Sequence, residues 1–248
     1  MVGAFVWTEL MSKDLAESRG FYEALLEWKI KEQQVGSIPY RLIHAGDRQI
    51  GGMMQITPEM GPSPTHWMTY VSVEDVDART HRAVELGGQA VVPGQDIPEV
   101  GRFSIIADPA GAHISPFKSV HAESNAHVPP QPTTGTFCWY ELLTRDPEGA
   151  RKFYPEIFGW SVASDDSHGG DPYWMFKAGE KLVAGIQPVD TPPHWLVYVA
   201  VEDVDETVKK AVALGGGEMV PPTDIGGMGR FAVLQDNLGG AIGCFERF

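Results

Sequence analysis

An α+β protein built from four βαβββ modules is the fold this sequence predicts, and three observations predict it. The first half of the 248-residue chain returns in the second at a nearly constant offset. Trp7-x-Glu9-Leu10 recurs as Trp139-x-Glu141-Leu142, Phe21-Tyr22 as Phe153-Tyr154, Trp28 as Trp160, and His66-Trp67-x-x-Tyr70 as His194-Trp195-x-x-Tyr198. Each half then divides again into two units, each an apolar strand running into an Asp-initiated helix and followed by short strand-like runs. Between the halves the periodic pattern lapses into Pro129-Pro130-Gln131-Pro132, a composition that favours extended linkage. The repeat is too long for a solenoid unit of roughly 20–50 residues. The expected organisation is therefore a first domain over 1–118, a linker over 119–133 and a second domain over 134–248.

The elements follow in order. The first helix starts at Asp14, a cap with Glu17 three residues on, and Leu15, Ser18, Tyr22, Leu25 and Leu26 recur at helical spacing. Its repeat opens on Asp146-Pro147, cap plus first-turn proline. Trp28 and Trp160, after these helices, read as core. The second helix of each half starts near Asp75 or Asp203 and stops at Leu86-Gly87-Gly88 or Leu214-Gly215-Gly216, where glycine can take the left-handed conformation. Asp108-Pro109-Ala110-Gly111 and Asp236-Asn237-Leu238-Gly239 are turns that close hairpins. Arg102 and Arg230 read as structural, paired with Asp96 and Asp224 across a turn.

Composition narrows the partners. Nineteen Lys and Arg against thirty-three Asp and Glu give a net charge of −14, which repels phosphate backbones and anionic membrane surfaces. Nucleic acid and membrane are not expected partners. The first residues show no basic region followed by an apolar run, and no segment reaches the roughly 20 apolar residues of a membrane span, so the expected location is cytoplasmic. Cys138 and Cys244 lack metal-type spacing and read as reduced, structural thiols. P-loop, dinucleotide-binding, HExxH and GxSxG motifs are missing. His44, His81, His121, His127 and His168 are expected to be solvated.

With these elements in place the sequence resembles a tandem member of the vicinal oxygen chelate superfamily, the glyoxalase, bleomycin-resistance and extradiol-dioxygenase group. The residues that carry the resemblance are Asp14-Leu15 with Phe21-Tyr22, the passage Tyr70-Val71-x-Val73-Glu74-Asp75-Val76-Asp77, and Gly101-Arg102-Phe103 leading to Asp108-Pro109-x-Gly111, each with its second copy. The resemblance implies two glyoxalase-like domains whose curled mixed sheets enclose a cleft, with helices on the convex faces and, in many members, a divalent metal held by His, Glu or Gln. Strand alternation assigns the cleft face. Val71 and Val73 take the helix side, which leaves His66, Met68, Tyr70 and Ser72 facing the cleft, with His194, Leu196, Tyr198 and Ala200 in the second copy. Phe5, Trp7 and Glu9 share one face, as do His113, Ser115 and Phe117; their counterparts are Phe137, Trp139, Glu141 and Ala241, Gly243, Phe245.

The positions at which the family holds its metal contain Trp7, Met68 and Ser115 in the first half and Trp139, Leu196 and Gly243 in the second. None is a normal ligand for a hard or borderline divalent ion, so no metal cofactor is expected and Lewis-acid chemistry is set aside. Glu9, His66 and His113 lie two residues away, and a displaced divalent metal site there is the alternative. The second half keeps Glu141 and His194 but has Ala241 in the third place.

The leading expectation is a protein that binds a small aromatic or hydrophobic metabolite without metal, with Trp7, Met68, Tyr70, His113, Ser115, Trp139, Leu196 and Tyr198 as ligand-binding residues. The competing reading of the two tryptophans is that they fill the space of the lost metal and substrate. A second expectation is an enzyme, a lyase, isomerase or oxygenase, with Glu9, His66, Glu141 and His194 as catalytic acid–base residues. A third makes the duplication a scaffold for a protein partner. Duplication supplies within one chain the pairing that single-domain relatives obtain by dimerising, so a monomer is favoured over a homodimer.

Overall fold

The computed structural model describes residues 2–35, 38–121, 133–166 and 172–247. Most of the expected linker, together with His127 and His168, lies outside the described residues. The first half runs β1 (Phe5–Ser12), α1 (Leu15–Leu26), β2 (Lys29–Val35), β3 (Ile38–Ala45), β4 (Arg48–Gln55), a 3-10 turn (Pro58–Met60), β5 (His66–Ser72), α2 (Val76–Glu85), β6 (Gln89–Ile97), β7 (Gly101–Ala107) and β8 (His113–Ser119). The second runs β9 (Phe137–Thr144), α3 (Pro147–Phe158), β10 (Ser161–Asp165), β11 (Tyr173–Ala178), β12 (Lys181–Pro188), β13 (His194–Ala200), α4 (Val204–Ala213), β14 (Gly217–Ile225), β15 (Gly229–Gln235) and β16 (Ala241–Arg247). Each half is one eight-stranded mixed sheet, in the orders β2-β3-β4-β1-β5-β8-β7-β6 and β10-β11-β12-β9-β13-β16-β15-β14. The fold is the predicted α+β arrangement of four βαβββ modules.

All four helices begin on the aspartates that the sequence nominates. Asp14 accepts from the backbone N–H of Ala16 and Glu17, Asp75 from Ala78, Asp146 from Gly149 and Asp203 from Glu206, so each satisfies donors that the helix cannot pair internally. α1 buries Leu15, Ser18, Phe21, Tyr22 and Leu25. Its Ser18 Oγ lies 2.7 Å from Ser12 Oγ, which places the even-numbered side of β1 under the helix.

Compact packing groups the strands differently from the sheets. One unit comprises Met1–Trp7, Met68–Val128 and Trp139–Trp195; the other comprises Thr8–Trp67, Pro129–Cys138 and Leu196–Phe248. Each therefore joins the second module of one sequence half to a module of the other, or the first to the fourth.

The same buried polar chain holds each unit together. In the former unit, the Asp108 carboxylate accepts the backbone N–H groups of Ala110, Gly111 and Ala112 at 2.9, 2.7 and 2.9 Å on one oxygen and the Tyr154 hydroxyl at 2.8 Å on the other. Trp195 Nε1 donates to the Tyr154 oxygen at 3.1 Å, and Trp160 Nε1 donates to the Gly3 carbonyl at 2.7 Å. In the latter unit, Asp236 accepts from Leu238, Gly240 and the Tyr22 hydroxyl, Trp67 donates to Tyr22, and Trp28 donates to the Gly135 carbonyl. A buried carboxylate is stable only when so paired. The turn aspartates thus do more than shape a hairpin: each is a core anchor for a tyrosine from the opposite sequence half.

Three further differences from the sequence reading are local. Phe5 and Phe137 are buried, whereas Trp7 and Trp139 are half-buried. Phe5 is buried and stacked on Tyr140 at 3.8 Å, beside Trp160 and Trp195, while Phe137 lies against Trp28 and Trp67. Each ring thus belongs to a buried aromatic cluster, which the strand pattern alone does not reveal. Arg102 does pair with Asp96 at 2.9 Å, but its Nε and Nη2 also grip Asp77 of α2 at 2.9 and 2.8 Å; Arg230 does the same with Asp224 and Asp205. Hydrogen bonds from these guanidinium groups hold the Asp77 and Asp205 carboxyls below the usual range. His44 is half-buried, with Nδ1 enclosed, whereas His81 and His121 are exposed.

Candidate functional site

Glu9 lies on the side of β1 opposite Leu10 and Ser12, and so away from α1. It is buried, and its register partner on β4 is Gly52. Tyr40 on β3 reaches across and donates its hydroxyl to Glu9 Oε1. Gly52 makes this reach feasible, because any Cβ there would collide with the Tyr40 hydroxyl. In the other unit Glu141 on β9 is paired in register with Gly185 on β12, Tyr173 on β11 donates to Glu141 Oε1 at 2.7 Å, and a Cβ on Gly185 would meet the Tyr173 hydroxyl. Trp139 Nε1 donates to the Tyr173 oxygen at 3.3 Å. Burial, and then the Glu141 carboxylate, push the Tyr173 phenol well above its ordinary range, so it remains a donor at neutral pH.

Tyr40 and Tyr173 were not among the expected site residues. A signal for them exists: each precedes its glycine by twelve residues in both halves, and each follows a proline. Recognising it requires knowing which strands are neighbours.

The histidines are held alike. His66 Nδ1 lies 2.8 Å from the Pro64 carbonyl and His194 Nδ1 2.8 Å from the Pro192 carbonyl. Since a carbonyl only accepts, the geometry assigns the proton to Nδ1 and leaves Nε2 as the acceptor of the neutral ring. His113 is exposed at the start of β8. Trp7 and Trp139 are half-buried, whereas Met68, Tyr70, Ser115, Leu196 and Tyr198 are buried. Tyr70 packs edge-on against Phe117 and near Phe103, and Tyr198 lies against Phe231 and over Gly243.

The donors at the family's metal positions do not fit a divalent ion. Ser115 Oγ is fully buried and donates to the Ser104 carbonyl at 2.7 Å. Gly243 has no side chain, and the Tyr198 ring occupies the space into which one would project. Indole, thioether and alkyl groups complete the two sets, and none supplies the imidazole or carboxylate that such an ion needs. Among the described residues no three His, Cys, Asp or Glu side chains are grouped so as to hold a metal, Glu9, His66 and His113 included. Among the same residues no helix is long and apolar enough to cross a membrane. Both cysteines are free thiols.

Comparison with known proteins agrees with this architecture. Residues 4–115 match the Glyoxalase/Bleomycin resistance protein/Dioxygenase superfamily and residues 139–242 match a Glyoxalase-like domain. The chain is 35% identical to the glyoxylase-named protein CFP32 of Mycobacterium tuberculosis, over 94% of this chain and 90% of that protein. It is 34% identical to the anthracycline biosynthesis protein DnrV of Streptomyces peucetius, over 98% and 93%. In fold it is similar to the Mn(II)-bound glyoxalase from Novosphingobium aromaticivorans, with a TM-score of 0.65 at 14% identity over 99% of this chain and 82% of that one. An extradiol ring-cleaving dioxygenase from B. fuscum gives 0.65 at 19% identity over 98% and 71%. The protein belongs to the glyoxalase/bleomycin resistance/dioxygenase superfamily, whose domain it contains in two tandem copies.

Proposed function

We propose that the protein binds a small aromatic or otherwise hydrophobic metabolite, that the Glu9–Tyr40 and Glu141–Tyr173 pairs supply its polar anchors, and that binding needs no divalent metal. The observation that carries this reading is the retention, in both halves, of a glutamate, a tyrosine and the glycine that lets them meet, while both metal-ligand sets consist of residues unsuited to a metal. A carboxylate and phenol beside a half-buried indole, as Glu141, Tyr173 and Trp139 stand in the second half, suit a planar guest with hydroxyl or carbonyl groups at its edge. The relative named for anthracycline biosynthesis supports the aromatic class.

The probe for this reading is 1,4-dihydroxyanthraquinone, titrated calorimetrically into metal-stripped protein. Saturable binding is expected, weakened about tenfold by Trp139→Ala in one half or Trp7→Ala in the other, as loss of an aromatic stacking surface predicts. Affinity unchanged by both substitutions would overturn it. The matched histidines favour one second reading, acid–base catalysis with Nε2 of His66 and His194 as proton acceptor and Glu9 and Glu141 as partners. That reading requires a turnover whose acidic pH limb vanishes in His66→Ala and His194→Ala; activity indifferent to both removes it.

A further inference from the structure

The duplication gives each feature of one half a control in the other, and one groove in the first half is lined by residues that change in the second copy, Arg41 to Trp174 and Met54 to Gln187. A groove of about 590 Å³ opens in the first module between the segment entering α1, β3, the end of β4 and the 3-10 turn. Leu15, Pro39, Met54 and Met60 give it apolar walls, and Lys13 and Arg41 give it two cations. Asp14 also lines it, but its Oδ1 is engaged by the α1 backbone. Arg41 Nε is buried and has no hydrogen-bond partner among the described residues; the guanidinium meets only Glu32, at 3.4 Å through Nη2. A buried guanidinium N–H without an acceptor is costly. Arg41 follows Tyr40 on β3, so alternation turns it to the opposite face from the Glu9 anchor.

In the second half, the residue after the anchoring tyrosine is Trp174, not arginine. The Arg151 guanidinium lies 4.0 Å over its ring. The first-half counterpart of Arg151 is Arg19, which pairs instead with Glu23 at 3.1 Å. An aromatic–cation stack thus stands in the second half where the first has an arginine with an unanswered donor.

We propose that this groove is a second ligand site, present in the first half alone, and that it takes an organic acid: the carboxylate on Arg41 and Lys13, the apolar body against Leu15, Pro39, Met54 and Met60. A planar carboxylate matches the guanidinium fork, and Arg41 is the only cation of the pair that can bind it bidentately. The site is independent of the Glu–Tyr anchors.

Calorimetric titration with 2-naphthoate, and in parallel with neutral 2-naphthamide, tests it. The expected result is one equivalent of naphthoate bound, with the amide at least about tenfold weaker because it lacks the charge-assisted pair. Arg41→Trp, which copies the second half, and Arg41→Gln, which keeps a polar side chain but removes the charge and the guanidinium fork, each weaken naphthoate by a similar factor. Trp7→Ala and Trp139→Ala leave it unchanged. The proposal is overturned if naphthoate fails to bind at millimolar concentration, if the amide binds equally, if both Arg41 variants bind as the parent protein does, or if the tryptophan variants abolish binding instead.

Discussion

Asp108→Ala is the substitution whose cost follows most directly from the structure. The carboxylate accepts three backbone N–H groups within its turn and the Tyr154 hydroxyl from the other sequence half. Ala110 is half-buried and Gly111 exposed, so water can reach both once the carboxylate is gone. Ala112 and Tyr154 are fully buried and cannot. Two buried donors left unpaired, at about 1–3 kcal/mol each, put the loss near 4 kcal/mol. Tyr154→Phe strands the Asp108 carboxylate oxygen and the Trp195 indole N–H, and is expected to cost about 3 kcal/mol. Because each substitution breaks the same contact, the double variant should cost less than the sum, with a coupling of about 1.5–3 kcal/mol. Urea unfolding followed by tryptophan fluorescence and far-ultraviolet circular dichroism measures all three. Tyr154→Phe costing less than about 0.5 kcal/mol, or a coupling of zero, would refute the claim that this pair is a core anchor. Asp236 and Tyr22 provide the same cycle in the other unit, with the same expected result.

Three other outcomes are expected. Burial, then the Asp236 and Asp108 carboxylates, hold the Tyr22 and Tyr154 phenols well above their ordinary range. The unfolded chain releases those protons near pH 10 and the native chain keeps them. Their contribution is therefore complete below about pH 10, and above it stability falls by about 1.4 kcal/mol per pH unit for each tyrosine; urea midpoints measured up to about pH 11 should fall less steeply in Tyr154→Phe. Gly185→Ala forces a methyl into the Tyr173 hydroxyl and should cost about 1–3 kcal/mol and weaken 1,4-dihydroxyanthraquinone, read by thermal unfolding and calorimetry. Trp160→Phe keeps much of the packing but loses the hydrogen bond to the Gly3 carbonyl, so a loss of at least about 1 kcal/mol is expected in the same urea assay.

Local chemistry made much of the fold legible. The four aspartate caps, the glycine stops after α2 and α4 and the Asp–Gly turns depend on residues within a few positions of one another, which spacing exposes. Arg102 shows where that legibility ends: its partner Asp96, six residues away, is within reach of spacing, while Asp77, twenty-five away on α2, is not. Helical periodicity marked Tyr22 as buried but could not indicate that its hydroxyl reaches Asp236, 214 positions along the chain. At the site, alternation placed Glu9 correctly away from α1, yet Tyr40 comes from a different strand and reaches Glu9 only across Gly52. Alternation likewise could not show that Phe5 is buried against Tyr140, Trp160 and Trp195, which lie more than 130 positions along the chain.

The proposal that binding needs no divalent metal is tested most directly by titration of chelator-treated protein with Mn(II), followed by metal analysis after dialysis. The predicted result is no saturable heat and retained metal far below one ion per chain. One or two ions retained per chain, and lost in Glu9→Ala or His66→Ala, would contradict the account and establish a displaced metal centre.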